Sequence, residues 1–304
     1  MTAPLAALDI GTNTLLLLVV ERDGDDLRAV HEDCRFGRLG QGLDASGRLA
    51  GEAIARSLDI VRVYRAEMDR RGVARVAAVG TQALREAANA AAFLGPARDI
   101  LGVDIEVISG DREAELVYSA AARAFPALAG ADTIVADVGG GSTEVIVGRA
   151  GAVKWRRSLP IGSVRLAERH LHSDPPRADE ARAMIDDIDR VLADLDLPSG
   201  APVIGVAGTA TTLAALEQHL LEYDPDRIQG MHLGLATIER QLARLLELTV
   251  SERRELRGLE PERADVIPAG AAIFARLLRR ADSETLVVND RGVRWGVAWE
   301  LAAR

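Results

Sequence analysis

The sequence predicts an α/β protein of two domains, and three observations carry that reading. A chain of 304 residues is long for one hydrophobic core and comfortable for two, since domains usually hold about 100–200 residues. An apolar unit folded around a glycine-containing turn occurs twice. In both halves strand-like runs then alternate with helix-like ones, the pattern from which α/β domains are built.

The repeat sets the organisation. LAALDIGTNTLLLLVV at 5–20 and TIVADVGGGSTEVIVG at 133–148 align without a gap, Asp9 on Asp137 and Val20 on Gly148. Each copy is an apolar run ending in Asp, a turn with glycine and a hydroxyl residue, and a second apolar run, which reads as strand, tight turn, strand. A further turn follows in each, at Arg22–Asp25 and at Gly148–Gly151, so each half opens with a three-stranded meander.

Helices and short strands come next. Leu49, Ile54, Leu58, Val61 and Met68 follow the spacing of one helix face over 48–71, and Gly72 ends the run. Arg75–Val79 reads as a strand, Ala83–Leu94 as a helix, Ile105–Ile108 as a strand and Glu113–Phe125 as a helix. In the second half, Asp174-Pro175 marks a helix start, with Ile185, Ile188, Val191, Leu192 and Leu195 as its apolar face. Val203–Ala207 is a strand, Thr211–Leu221 a helix and Leu286–Asn289 a last strand before Val293–Arg304. The expected domains are residues 1–127 and 128–304, the last helix being able to pack back on the first.

Composition excludes several classes. With 48% apolar and 27% charged residues the chain can build cores and is not a disordered segment. The longest apolar stretch, Leu15–Val20, cannot span a bilayer, and the start MTAPLAALDIG has neither a signal-peptide nor a transit-peptide pattern. A single cysteine, Cys34, rules out an internal disulfide or a cysteine zinc site. The expected location is cytoplasmic, with no membrane partner. A net charge of −9 argues against a general nucleic-acid binder. Lys154-Trp155-Arg156-Arg157, the densest basic run, divides its charges between two faces of a strand and reads as a solvated edge.

Two such halves on either side of a cleft describe the ribonuclease H-like, actin-like ATPase superfamily of folds. DIGTNT at 9–14, TQALREAANA at 81–90, ISGDREAEL at 108–116, DVGGGSTE at 137–144, GTATTLAAL at 208–216, PERADVIPAGAAI at 261–273 and NDRGVRWG at 289–296 together resemble the exopolyphosphatase and guanosine pentaphosphate phosphohydrolase family (Ppx/GppA). The resemblance spans nearly the whole chain in consistent order and fits the family's short form, which lacks an added C-terminal domain. It implies hydrolysis of a phosphoanhydride, a divalent cation such as Mg²⁺, a polyphosphate or guanosine polyphosphate substrate, and a possible homodimer.

The residues support that chemistry on their own terms. Hydrolysing a phosphoanhydride requires a cradle for phosphate oxygens, neutralisation of charge and a positioned water. Glycine turns supply backbone N–H groups that an anion can approach closely. Gly139, Gly140 and Gly141 with the hydroxyls of Ser142 and Thr143 form one candidate cradle, and Gly11, Thr12, Asn13 and Thr14 the other. Ordinary hairpin turns use the same residues, but the duplication behind an acidic residue favours phosphate. Asp137 and Glu144 bracket the second loop and suit a hard cation; the alternatives are a turn-stabilising carboxylate for Asp137 and a solvated strand residue for Glu144. Asp9, the symmetry mate of Asp137, is a further candidate.

Glu113, near the start of a predicted helix after Ser109-Gly110, is the candidate general base; a first-turn charge favouring the helix dipole is the alternative. The resemblance assigns the catalytic glutamate to this position, with Arg112 standing where the family has a further glutamate, so that Arg112 could alter the base or touch substrate. Arg85 and Arg263 match arginines of the family motifs and suit phosphate oxygens. Gly208-Thr209 is a further phosphate contact from the second half. Trp295 replaces an acidic residue of the family pattern, and nothing catalytic is carried onto it. Of the five histidines, His170, His172, His219 and His232 have no regular metal spacing.

Three readings remain open. An exopolyphosphatase is the first and a guanosine pentaphosphate 5′-phosphohydrolase the second. An actin-like or sugar-kinase-like ATP-binding protein, or a non-catalytic alarmone sensor, is the third.

Overall fold

A computed structural model describes residues 3–126 and 130–304. The chain divides into two compact units, one formed by residues up to Leu116 together with Val293–Arg304 and the other by Val117–Gly292. The boundary expected between 127 and 128 lies outside the described residues.

The first unit opens with the expected meander: β1 (Leu5–Ile10), β2 (Leu15–Asp23) and β3 (Asp26–Arg35). Helices α1 (Leu43–Ser46) and α2 (Gly51–Arg70) lead to β4 (Arg75–Gly80), then α3 (Gln82–Glu86), α4 (Ala91–Leu101), β5 (Ile105–Val107) and α5 (Gly110–Ala124). The sheet order is β3-β2-β1-β4-β5, antiparallel in the meander and parallel from β1 through β4 to β5. Helix α2 buries Ala53, Ser57, Ile60, Val61, Tyr64 and Met68, a one-sided stripe that joins Leu8, Ile10, Leu17 and Phe93 in the core. Each large side chain buried there contributes about 1.5–3 kcal/mol. Gly72 closes α2 in the left-handed conformation, φ +65°, where a side chain would be strained.

The single helix expected over 83–94 is two helices. Asn89 accepts from Leu49 N (2.8 Å) and donates to Leu49 O (3.0 Å), and this tertiary pairing overrides the helical preference of the alanine-rich stretch.

In the second unit β6 (Thr133–Val138), β7 (Thr143–Arg149) and β8 (Ala152–Leu159) form the second meander. After it come α6 (Ser163–His170), α7 (Ala178–Leu192), β9 (Val203–Val206), α8 (Ala207–Glu217) and α9 (Pro225–Ile228). The unit continues through β10 (His232–Gly234), α10 (Leu235–Glu247), α11 (Val250–Arg254), α12 (Ile267–Arg280) and β11 (Thr285–Val288). Its order, β10-β11-β9-β6-β7-β8, contains the same five-strand arrangement with β10 added. Strand β6 is buried at every position, as a central strand covered on both faces must be. Lys154–Arg157 does lie on the edge strand β8, where Arg157 stands 5.7 Å from the Trp155 ring centre.

Several boundaries differ from expectation: α5 starts at Gly110 rather than Glu113, and α8 ends at Glu217 rather than Leu221. Helix α7 starts at Ala178 rather than at Asp174-Pro175, because Glu180 accepts from Arg177 N (2.9 Å) and caps the first turn there. Asp174 instead accepts from Val250 N (2.8 Å). Helix α8 starts at Ala207, earlier than the expected Thr211, so Gly208 and Thr209 occupy its first turn.

The last helix, α13 (Val293–Ala303), belongs to the first unit. A Cβ on Gly296 would lie 2.5 Å from Leu116 O, so glycine is what permits α13 to approach α5. Arg75 Nη2 donates to Leu301 O (2.6 Å).

Candidate active site

In both units the motifs collect at the carboxyl ends of the parallel strands, where α/β sheets place their ligand sites. Ile10, Gly80 and Val107 end β1, β4 and β5 in register, and Val138, Val206 and Val288 end β6, β9 and β11.

In the first unit the loop after β1 is closed by Gly11 N donating to Thr14 O (2.9 Å). Thr12 O accepts from Gly40 N and Asn13 O from Arg38 N, both at 2.9 Å. A trans peptide points its C=O and the following N–H in opposite directions. The N–H groups of Asn13 and Thr14 are therefore turned away from the 38–40 segment. The brace is tight, since a Cβ on Gly40 would lie 2.3 Å from Thr12 Cγ2. Thr12 Oγ1 donates to Gln82 Oε1 (2.9 Å), and the amide nitrogens of Asn13 and Gln82 are buried with no hydrogen-bond partner.

Helix α3 links this loop to the candidate base. Gln82 reaches Thr12, and one turn on Arg85 Nη1 donates to Ile108 O (2.8 Å) and to Glu113 Oε2 (3.3 Å). Glu113 is 7% exposed and lies in the first turn of α5, whose start is capped by Ser109 Oγ accepting from Arg112 N (3.2 Å). Arg85 is thus seated on Glu113, a placement its expected role toward phosphate did not include. Arg112 is drawn to the ion pair with Glu300 of α13 and lies 3.5 Å from Glu115. Trp295 is buried.

The second unit repeats the loop. Gly139 N donates to Ser142 O (3.0 Å). Gly139 O accepts from Ser163 N (2.9 Å), and Gly140 O accepts from Val164 N (2.8 Å) and Arg165 N (3.1 Å). These carbonyls fill the start of α6 and turn the N–H groups of Gly140 and Gly141 away from it. A Cβ on Gly162 would sit 2.5 Å from Gly140 O, so loop and helix meet backbone to backbone.

Asp137 faces Glu144 across β6 and β7, and both are buried. Directly opposed residues project from the same sheet face. Glu144 Oε1 accepts from Ser142 Oγ (2.9 Å) and Ser158 Oγ (2.7 Å). Thr143 is fully buried and donates to Ile161 O (2.7 Å). The Ser142 and Thr143 hydroxyls thus both bond within the loop and its surroundings. Asp9, only partly buried, faces Leu16.

Gly208 and Thr209 lie at the α8 N-terminus, where backbone N–H groups favour an anion. Thr209 Oγ1 reaches Val138 O (3.4 Å). Arg263 covers Gly208 so closely that a Cβ there would lie 2.2 Å from Nη1, and its Nε donates to Glu260 Oε2 (2.6 Å). Ala207 holds φ +68°, a left-handed conformation rare for a side-chain-bearing residue.

Sequence reasoning missed Gln82, Gly40, Gly162, Ser163 and Ser158. Gln82 was legible as the neighbour of Arg85 one helical turn away; the others become visible only through tertiary pairing. Among the described residues no group of three or more His, Cys, Asp and Glu could hold a metal. His170 is instead 2.9 Å from Asp187.

Residues 18–304 match the family model of the Ppx/GppA phosphatase family. The chain belongs to the Ppx/GppA phosphatase family. Members are phosphoanhydride hydrolases, so it is an enzyme of that class with two actin-like domains. It is 37% identical to exopolyphosphatase 2 of Mycobacterium tuberculosis, over 98% of each chain. Against a guanosine-5'-triphosphate,3'-diphosphate pyrophosphatase of Photobacterium profundum it is 29% identical, over 98% of this chain and 59% of the other. Its fold matches the crystal structure of the Aquifex aeolicus Ppx/GppA family member with a TM-score of 0.83 at 32% identity, covering 99% of this chain and 97% of that one.

Proposed function

We propose that the protein is an exopolyphosphatase that releases terminal phosphate from inorganic polyphosphate, with Glu113 as general base and both loops as phosphate holders. The observation that carries this is the duplicated loop. In each copy the carbonyls are bonded back into the protein and two consecutive N–H groups are turned the other way, as an anion cradle requires. The near full-length similarity to an exopolyphosphatase supports this substrate over others.

Phosphoryl transfer leaves the protein to position and to balance charge. The N–H groups of Asn13, Thr14, Gly140 and Gly141 would hold phosphate oxygens. The α8 N-terminus at Gly208-Thr209 and the Arg263 guanidinium would offset negative charge. Glu113, buried yet held by Arg85, would take the proton from the attacking water. Asp137 and Glu144 supply two buried carboxylates on one face. That donor set fits Mg²⁺, which binds through one or two carboxylates and keeps waters and substrate oxygens as its other ligands. When bound, it would neutralise substrate charge.

The second reading is removal of the 5′-terminal phosphate from guanosine pentaphosphate, favoured by the relative from Photobacterium profundum. Phosphate release by pure protein from polyphosphates of several lengths and from guanosine pentaphosphate separates the two. The proposal expects faster turnover of polyphosphate. Turnover of the nucleotide alone would favour the second reading, and tight ATP binding without release from either would return an ATP-binding role.

A further inference from the structure

Arg253, on α11, is 1% exposed and takes no part in the chemistry above. Burial pushes its pKa down, with Asp174 and Asp265 opposing that shift. Its Nε donates to Leu245 O (2.6 Å) and its Nη1 to Ala264 O (3.0 Å), while Nη2 is buried with no hydrogen-bond partner. Leu245 lies in the last turn of α10, where carbonyls lack a helical donor. Ala264 directly follows Arg263.

Arg263 ends a single 3-10 turn, Pro261–Arg263, and so short a turn does not hold its own geometry. Leu259, Ala264 and Val266 seat the segment in the core, and two closer contacts grip it from outside. Gly258, at φ +92°, lies so close to α8 that a Cβ would be 2.2 Å from Ala215 O. Arg253 grips the other end at Ala264 O. An apolar side chain could fill the same space without desolvating a charge; what a guanidinium adds is two donors at a fixed angle. The tolerance at Arg263 is narrow, given its approach to Gly208.

We propose that Arg253 is a buried positioning residue for Arg263: by clamping Ala264 O to the end of α10 it sets the Arg263 guanidinium over Gly208 at the start of α8. The inference rests on the substrate role given to Arg263 above.

A double-mutant cycle tests it, read as KM for inorganic polyphosphate and, independently of turnover, as tripolyphosphate affinity by calorimetry. Arg263→Ala should raise KM. Arg253→Lys, which reaches only one of the two carbonyls, should raise KM on the order of tenfold with little change in kcat, and that effect should vanish when Arg263 is already alanine, because residues acting through one another are non-additive. Additive effects would overturn the inference while leaving the role of Arg263 intact; an unchanged KM in Arg263→Ala would overturn that role first. If Arg253→Lys does not fold, Arg253→Gln, which keeps a donor for Ala264 O, replaces it in the cycle. Failure of both to fold while Arg263→Ala folds would make Arg253 a core residue and overturn the proposal.

Discussion

The loops at 9–14 and 137–142 are the same turn with different chemistry attached. Each closes through a hydrogen bond from the first glycine to the residue three places on, 2.9 Å in one and 3.0 Å in the other. Each flanking hairpin keeps the same register, and the bulge between second and third strands falls at Val19/Val20 and at Val147/Gly148, aligned positions of the repeat. The difference lies opposite the conserved aspartate of the repeat: Asp9 faces Leu16, whereas Asp137 faces Glu144. The backbone proposed to hold phosphate is common to both; the paired carboxylates proposed to hold a cation occur in the second only. The first loop is instead joined through Gln82 and α3 to Arg85 and Glu113.

That division can be broken in several ways. Glu113→Gln should have the largest effect, a loss of about 10²–10⁴-fold in kcat with polyphosphate as substrate; unchanged turnover would remove the base from the first unit. Ser158→Ala takes one hydroxyl from Glu144 and, if the carboxylate pair holds the cation, should lower Mg²⁺ affinity about 10–100-fold, measured as the Mg²⁺ dependence of turnover. A matched change at Leu16, Leu16→Ala, should leave that dependence in place.

Substitution at the glycines sharpens the shared part. A Cβ would lie 3.1 Å from Thr14 O at Gly11 and 3.2 Å from Ser142 O at Gly139. Gly11→Ala and Gly139→Ala should therefore each destabilise their own unit by a similar amount, about 1 kcal/mol, read by chemical denaturation. Clearly unequal losses would show that the two turns are not equivalent supports.

Acid should affect the second loop's support least of all. That loop rests on α6, whose end carries Arg169 and His170. Burial pushes the Asp187 carboxyl up, but hydrogen bonds from His170 and Arg169 overcome it and hold its pKa below the usual 3.8. A carboxylate with a depressed folded pKa stabilises above its unfolded value and loses that stabilisation as pH falls through the folded one. Stability should drop below about pH 3.8, and Asp187→Asn should reduce that drop in acid denaturation.

Most of this comparison was legible in the sequence because it resides in local pattern. The gapless repeat announced both hairpins, and the Asp-Gly turns announced their ends. The position of Glu113 near a helix start followed from Ser109-Gly110, although the helix begins at Gly110 rather than at the expected Glu113. What the sequence did not show depends on distant partners. Asn89 breaks an alanine-rich helix by bonding to Leu49, and Thr143 points its hydroxyl to Ile161 instead of outward. Arg85 meets Glu113 only because α3 and α5 start from neighbouring strands, and Arg112 leaves the base for Glu300 on a helix that returns from the end of the chain.

The central claim is that both loops hold phosphate through their backbone, and a crystal structure with tripolyphosphate tests it most directly. Phosphate oxygens within hydrogen-bond distance of the N–H groups of Asn13 and Thr14, and of Gly140 and Gly141, are the predicted result. An anion bound elsewhere, with both loops lacking contact to it, would contradict the account.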